Sequence, residues 1–111
     1  MWTIEYDTRA EEWLCSLQPD IKARILRIID MMLALGPMNI HEPYVKHIEG
    51  YKKLFEIRAR GKDSIVRAFY FTMTEQRIVI LHGFTKKTPK TPKSEIEIAL
   101  KRMQEVLNGK T

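Results

Sequence analysis

Four charged residues, Glu56, Arg58, Arg60 and Arg67, stand inside runs of β-branched and aromatic residues, and Lys86 and Lys87 directly follow another such run. Arginine presents a fixed fork of donors that suits phosphate oxygens. Lysines crowded among other cations have their pKa pushed down and can then move protons. His82, near a strand end, is a further candidate for proton transfer. This inventory suits one metal-free reaction, the cleavage of RNA by its own 2′-hydroxyl. That step needs a group to take the 2′ proton, cations on the pentacoordinate phosphate and a proton for the departing 5′-oxygen. The same cations could hold phosphates without cutting, and the residues alone do not rank one above the other.

Other chemistries lack their residues. The five glycines are scattered at turns, so there is no phosphate-cradling loop. No nucleophile elbow occurs, and the single cysteine, Cys15, falls on an apolar-rich helix. The string His41-Glu42-Pro43-Tyr44-Val45 begins like a zinc-protease helix, but Val45 replaces the second histidine and Pro43 spoils a helix interior. With His47 six residues on and no cysteine nearby, neither a metal nor any other cofactor is expected.

The net charge of +5 is unevenly spread. Residues 1–45 carry four Lys/Arg against seven Asp/Glu; residues 46–93 carry twelve against four; residues 94–111 carry three of each. Positive charge therefore gathers on the strand-rich middle, the footprint of a polyanion binder, nucleic acid first. A solvated basic face without a partner is the competing reading.

The elements that must position these residues follow from periodicity. Trp2 to Tyr6 alternates like a strand, and Asp7 or Thr8 can cap the helix after it. Ala10, Trp13, Leu14 and Leu17 line one helix face; Pro19 opens a second helix with Ile21, Ile25, Ile28, Ile29 and Met32 as its stripe, stopped at Gly36-Pro37. Residues 38–50 read as a connecting loop. Leu54–Arg60, Ser64–Phe71 and Arg77–Phe84, split by Gly61-Lys62-Asp63 and Met73-Thr74-Glu75-Gln76, read as an antiparallel meander. On its first strand Leu54, Glu56, Arg58 and Arg60 share one face, and Phe55, Ile57 and Ala59 the other. The apolar face is expected under helices and the charged face wet. A basic linker with Pro89 and Pro92 leads to a last helix, with Ser94 and Glu97 as a capping box. The fold class is α+β. At 111 residues one domain over 1–111 is expected. One cysteine, no apolar run long enough for a membrane span and no leader pattern point to an intact, small, cytoplasmic product.

Four spaced blocks occur in order: Leu54-x-Glu56-x-Arg58, Arg67-x-Phe69-Tyr70, His82-Gly83-Phe84-x-Lys86-Lys87 and Thr91-Pro92. With them the chain resembles the RelE/ParE toxin superfamily over nearly its whole length, and is most similar to its HigB-like, phage Gp49-like branch. The resemblance implies a RelE-like fold: N-terminal strand, two-helix hairpin, three-stranded antiparallel meander and C-terminal helix. It implies a toxin of a type II toxin–antitoxin pair that cleaves mRNA in the ribosomal A site without a metal. Its partners would be a cognate antitoxin, HigA-like with a helix-turn-helix, and the ribosome with its message; operator DNA would be met only through the antitoxin. Carried over, Arg58 matches a basic strand position, Arg67 the arginine on the scissile phosphate, and Lys86 or Lys87 the basic residue that helps the leaving group. Lys53, Arg60, Lys62, Phe84, Lys90 and Lys93 are the candidate RNA contacts. Glu56 stands where RelE has lysine, and Lys93 near where it has tyrosine. A carboxylate among cations is a poor base, so Glu56 is read as orienting Arg58 or Arg67. Two other readings are carried: a ParE-like gyrase inhibitor, and a basic nucleic-acid-binding module without catalysis.

Overall fold

A computed structural model describes residues 1–109. Among them the chain forms β1 (Thr3–Tyr6), α1 (Thr8–Ser16), α2 (Pro19–Leu35), a 3-10 turn (Pro37–Asn39), β2 (Val45–His47), β3 (Phe55–Arg60), β4 (Ile65–Met73), β5 (Arg77–Thr85) and α3 (Lys93–Leu107). The strands make one sheet in the order β1-β5-β4-β3-β2. The meander is its centre. β1 adds to β5 in parallel, Thr3 opposite Arg77 through Tyr6 opposite Ile80. β2 adds to β3 antiparallel, so the segment read as a plain loop supplies a three-residue edge strand. No alternation long enough to signal a strand exists in Val45–His47; pairing with β3 alone makes it one.

The sheet is covered on both faces. Ile21, Ile25, Ile28, Ile29 and Met32 of α2, with Ala10 and Leu14 of α1, close over Ile57, Ala59, Ala68, Tyr70, Ile78 and Ile80. On the opposite face Ile96, Ala99 and Met103 of α3 pack on Leu54, Phe69, Phe71, Val79 and Leu81. The second face was expected to be charged and wet; instead α3 covers its apolar part and leaves only the charged part open. The strand pattern changes nature midway along that face: on β4, Phe69 and Phe71 lie under α3 while Arg67, on the same face, lies beyond it.

Two local features hold the layers in place. Gly83 on β5 lies flat under the Trp13 ring, where a Cβ would come within 2.2 Å of Trp13 ring carbons. Asp7 caps α1, accepting from the Arg9 backbone N–H at 2.8 Å, and its carboxylate also accepts from the Arg9 guanidinium at 2.7 Å. Arg9 reaches on to Glu105 of α3 at 3.0 Å, and Arg102 of α3 lies 3.9 Å from Asp7. Helices on opposite faces are thereby joined around the end of β1. At the start of α3, Pro92 rather than Ser94 holds the cap position, and no side-chain cap forms. The expected capping box is absent because the helix begins two residues early, and Glu97 is left exposed.

Gly83→Ala is expected to destabilise by about 1–3 kcal/mol through overpacking against Trp13. A lower urea midpoint with an unchanged slope, and altered tryptophan fluorescence, would show it. Asp7 has two opposed influences. Burial raises its pKa, but hydrogen bonds from Arg9 and the charges of Arg102 and Arg9 outweigh this and hold it below 3.8. Its contribution is thus fully present above about pH 4 and is lost as pH falls through the depressed value. Asp7→Asn keeps a capping side chain yet should flatten the acid limb of stability, measured by unfolding between pH 2 and pH 7.

Candidate functional site

The β3–β4 register puts Arg58 directly opposite Arg67. Like charges facing each other across a ladder repel. Glu56, two residues before Arg58 and so on the same face, relieves that repulsion. Its Oε1 lies 3.5 Å from Arg58 Nε and 3.4 Å from Arg67 Nε. Glu56 and Arg67 are both buried, 3% and 6% exposed, whereas Arg58 is half-buried. Arg67 is pinned further by Nη1 donating to the Val66 carbonyl at 3.2 Å. The pairing is loose: Glu56 Oε2 and Arg67 Nε make no hydrogen bond. Glu56 therefore faces both arginines by charge from below the surface they form.

Lys86 joins this group through the backbone. After β5 ends at Thr85, the Lys86 N–H still donates to the Ile65 carbonyl at 2.7 Å, which holds Lys86 against the start of β4. Burial pushes the Lys86 ammonium below its ordinary pKa, and Arg67, Arg58 and Lys46 push it the same way while Glu56 opposes them. Burial likewise lowers Arg67, with Arg58 and Arg60 adding to the effect and Glu56 resisting it. The arginine remains a cation; the lysine becomes a readier proton donor.

A groove of about 390 Å³ runs over the cluster, lined by Arg60, Ile65, Arg67, Lys86, Lys87 and Pro89. Four cations face one hollow, which is suited to a phosphodiester. The other candidates are placed differently. Lys62 is exposed in the β3–β4 turn, its backbone N–H near Asp20 at 3.5 Å. Lys53 precedes β3, at the end opposite Arg60 and so about 17 Å or more away along the strand. Lys90 and Lys93 are exposed in the linker and at the first turn of α3. Phe84 lies opposite Arg67 but is 8% exposed and packs on Phe69, with ring centres 5.4 Å apart. Its ring supports the floor and is not free to stack on a base. His82 is engaged by α3: Glu95 Oε1 lies 3.0 Å from Nε2, and Arg102 Nη1 donates to Nδ1 at 3.3 Å. It anchors the helix rather than lining the groove.

Sequence reasoning missed Arg24, Arg27 and Tyr44, which line a second hollow together with Arg58, Arg60 and Arg67. The only available signal was that Arg24 and Arg27 fall between the apolar positions of α2 and so face outward.

A family model described as "Phage derived protein Gp49-like" matches residues 12–104. Two solved structures are similar in fold. The free-state structure of an arginine-to-alanine double mutant of E. coli toxin RelE matches at a TM-score of 0.67 and 16% identity, covering 92% of this chain and 97% of that one. The archaeal RelE-RelB complex from Pyrococcus horikoshii matches at 0.57 and 23%, covering 76% and 93%. No curated protein matches the sequence.

Replacing Glu56 by Gln should leave Arg58 and Arg67 facing each other uncompensated, at a cost on the order of 3 kcal/mol. Combining Glu56→Leu with Arg67→Met should recover most of that stability, because apolar replacements of a buried ion pair are often neutral. Urea unfolding of the single and paired variants measures both.

Proposed function

The chain belongs to the phage-derived Gp49-like family and has the RelE fold, and from this premise we propose that it is the toxin of a type II toxin–antitoxin pair, a metal-free endoribonuclease acting on mRNA in the ribosomal A site. The observation that carries the proposal is the groove in which Arg60, Arg67, Lys86 and Lys87 converge, with Lys86 held below its ordinary pKa. Held against the start of β4 by its backbone N–H, Lys86 is placed to give up a proton as well as to hold a phosphate, which supports cutting over holding alone.

In this reading the 2′-oxygen attacks the adjacent phosphorus as its proton leaves to water. The new O2′–P bond forms while the P–O5′ bond breaks. Arg67, fixed from beneath, and Arg58 stabilise the charge that builds on the non-bridging oxygens. Lys86 gives its proton to the departing 5′-oxygen. The products are a 2′,3′-cyclic phosphate and a 5′-hydroxyl. Lys87 and Arg60 hold the flanking phosphates as point charge and fork. Glu56 and His82 act as positioning groups, the first for the arginines and the second for α3. The partner proposed is an antitoxin, as the RelE-RelB complex has, with a HigA-like protein the expected type. A single domain working in the cytoplasm completes the reading.

The test is a bacterial cell-free translation system with primer extension on the message. Wild-type protein should cut translated message only. Arg67→Ala should lower the cutting rate by about 10²–10³-fold, the loss typical of one transition-state donor. Lys86→Ala should lose a similar factor. Because Lys86 acts in its protonated form, cutting should fall as pH rises through its depressed pKa, and Lys86→Arg should move that limb upward. Intact message under translation would sink the nuclease reading and turn attention to gyrase supercoiling.

A further inference from the structure

β2 pairs with only Phe55, Glu56 and Ile57 of β3. Beyond a single bond from the Arg58 N–H to the Tyr44 carbonyl at 2.8 Å, the Arg60 end of β3 has no strand beside it on that edge. α2 passes beneath the same end. Between them lies a hollow of about 510 Å³. Its floor is apolar, with Ile28, Met31 and Ala59; its rim is cationic, with Arg24 and Arg27 beside Arg58 and Arg60. Both hollows include Arg60, Ile65 and Arg67, so the two grooves adjoin where β3 ends and β4 begins.

We propose that this groove is a nucleotide-binding subsite, which takes the unpaired RNA residue next to the one being cut. The inference rests on the nuclease reading. Arg24 and Arg27, three residues apart, project from one side of α2 and are exposed. Among the described residues neither has a carboxylate within 4.0 Å, so both are free to take phosphates. No acidic residue lines the hollow; Glu56 lies buried beneath it, 3.5 Å from Arg58 and 3.4 Å from Arg67, and Glu42 is 4.0 Å from Arg58. Tyr44, 48% exposed, is the aromatic side chain most open to solvent among the described residues. An exposed ring above an apolar floor gives a base a stacking surface, and arginine planes add to it. An acidic peptide would also answer the cations. Adjacency to the phosphate groove and the free aromatic ring favour a nucleotide.

The test is fluorescence anisotropy with a 2′-O-methyl hexanucleotide, which cannot be cut, titrated onto the full-length protein over a range of salt. Arg24→Gln with Arg27→Gln should weaken binding about tenfold or more at low salt. The slope of log K against log salt should shrink by about 1.4, two phosphate contacts on a single strand. Tyr44→Ala should weaken binding roughly fivefold or more with the slope unchanged. All three positions are exposed, and thermal melts confirm that the variants fold. Binding insensitive to these changes but lost in Arg67→Ala would overturn the subsite and leave the nuclease reading standing. Failure to cut translated message would sink the nuclease reading, and with it a subsite beside a cut, while an oligonucleotide titration that still responds to Arg24, Arg27 and Tyr44 would show that the groove itself binds RNA, so the two failures are distinguishable. Displacement by polyglutamate as strong as by oligonucleotide, with Tyr44→Ala without effect, would assign the groove to an acidic protein partner and overturn the proposal.

Discussion

Two arginines face each other across the β3–β4 ladder, and a single buried carboxylate keeps that arrangement tenable. Arg58 and Arg67 are register partners, and Glu56 reaches both at 3.5 and 3.4 Å. The cost of burying charge constrains everything around them. The ladder cannot slip, because a shift by one residue would turn Arg58 and Arg67 into the α2 core and Ile57 and Ala68 out of it. The carboxylate cannot leave, because the arginines would then repel. What results is a rigid cationic floor whose donors are held before any ligand arrives, which is what preorganised stabilisation of a charged transition state requires.

α3 decides how far that floor extends. It covers the apolar half of one face through Ile96, Ala99 and Met103 and stops short of Arg67. Its position is fixed by polar ties along its length: Glu95 to His82, Arg102 to the Leu81 carbonyl and His82, and Glu105 to Arg9. Arg102 also reaches the Asp7 carboxylate that caps α1. The histidine with the best claim to proton chemistry in the sequence is thus taken up in holding the helix that bounds the site. In the proposed reaction proton transfer falls to Lys86, whose lowered pKa comes from burial and from neighbouring arginines.

The cations do not end at the cluster. They pass from the end of β3 to Arg24 and Arg27 on α2. The shortness of β2 makes this passage, since a longer edge strand would close it. Most of these residues are arginines rather than lysines. A strand laid along them would be gripped by planar forks and ring faces as well as by charge.

The sequence by itself determined the nature of every helix and strand except β2, and the side on which their residues fall. Alternation and helical spacing are local consequences of backbone geometry. The three meander strands, a cap for α1 at Asp7 or Thr8, the stripe of α2 and the concentration of charge between residues 46 and 93 were accordingly legible, as was the shared face of Glu56, Arg58 and Arg60; the structure chose Asp7 as the cap. The family resemblance added the fold. Only the tertiary structure decided the neighbours. That Glu56 lies between two arginines depends on the β3–β4 register; that His82 belongs to α3 and Phe84 to the core depends on where α3 docks; that Val45–His47 is a strand and Arg24 stands near Arg60 depends on how α2 and β2 meet β3. These are contacts between residues far apart in the chain. They follow from which apolar faces cover one another and which charges must be compensated once buried, and no local period of the sequence encodes that choice.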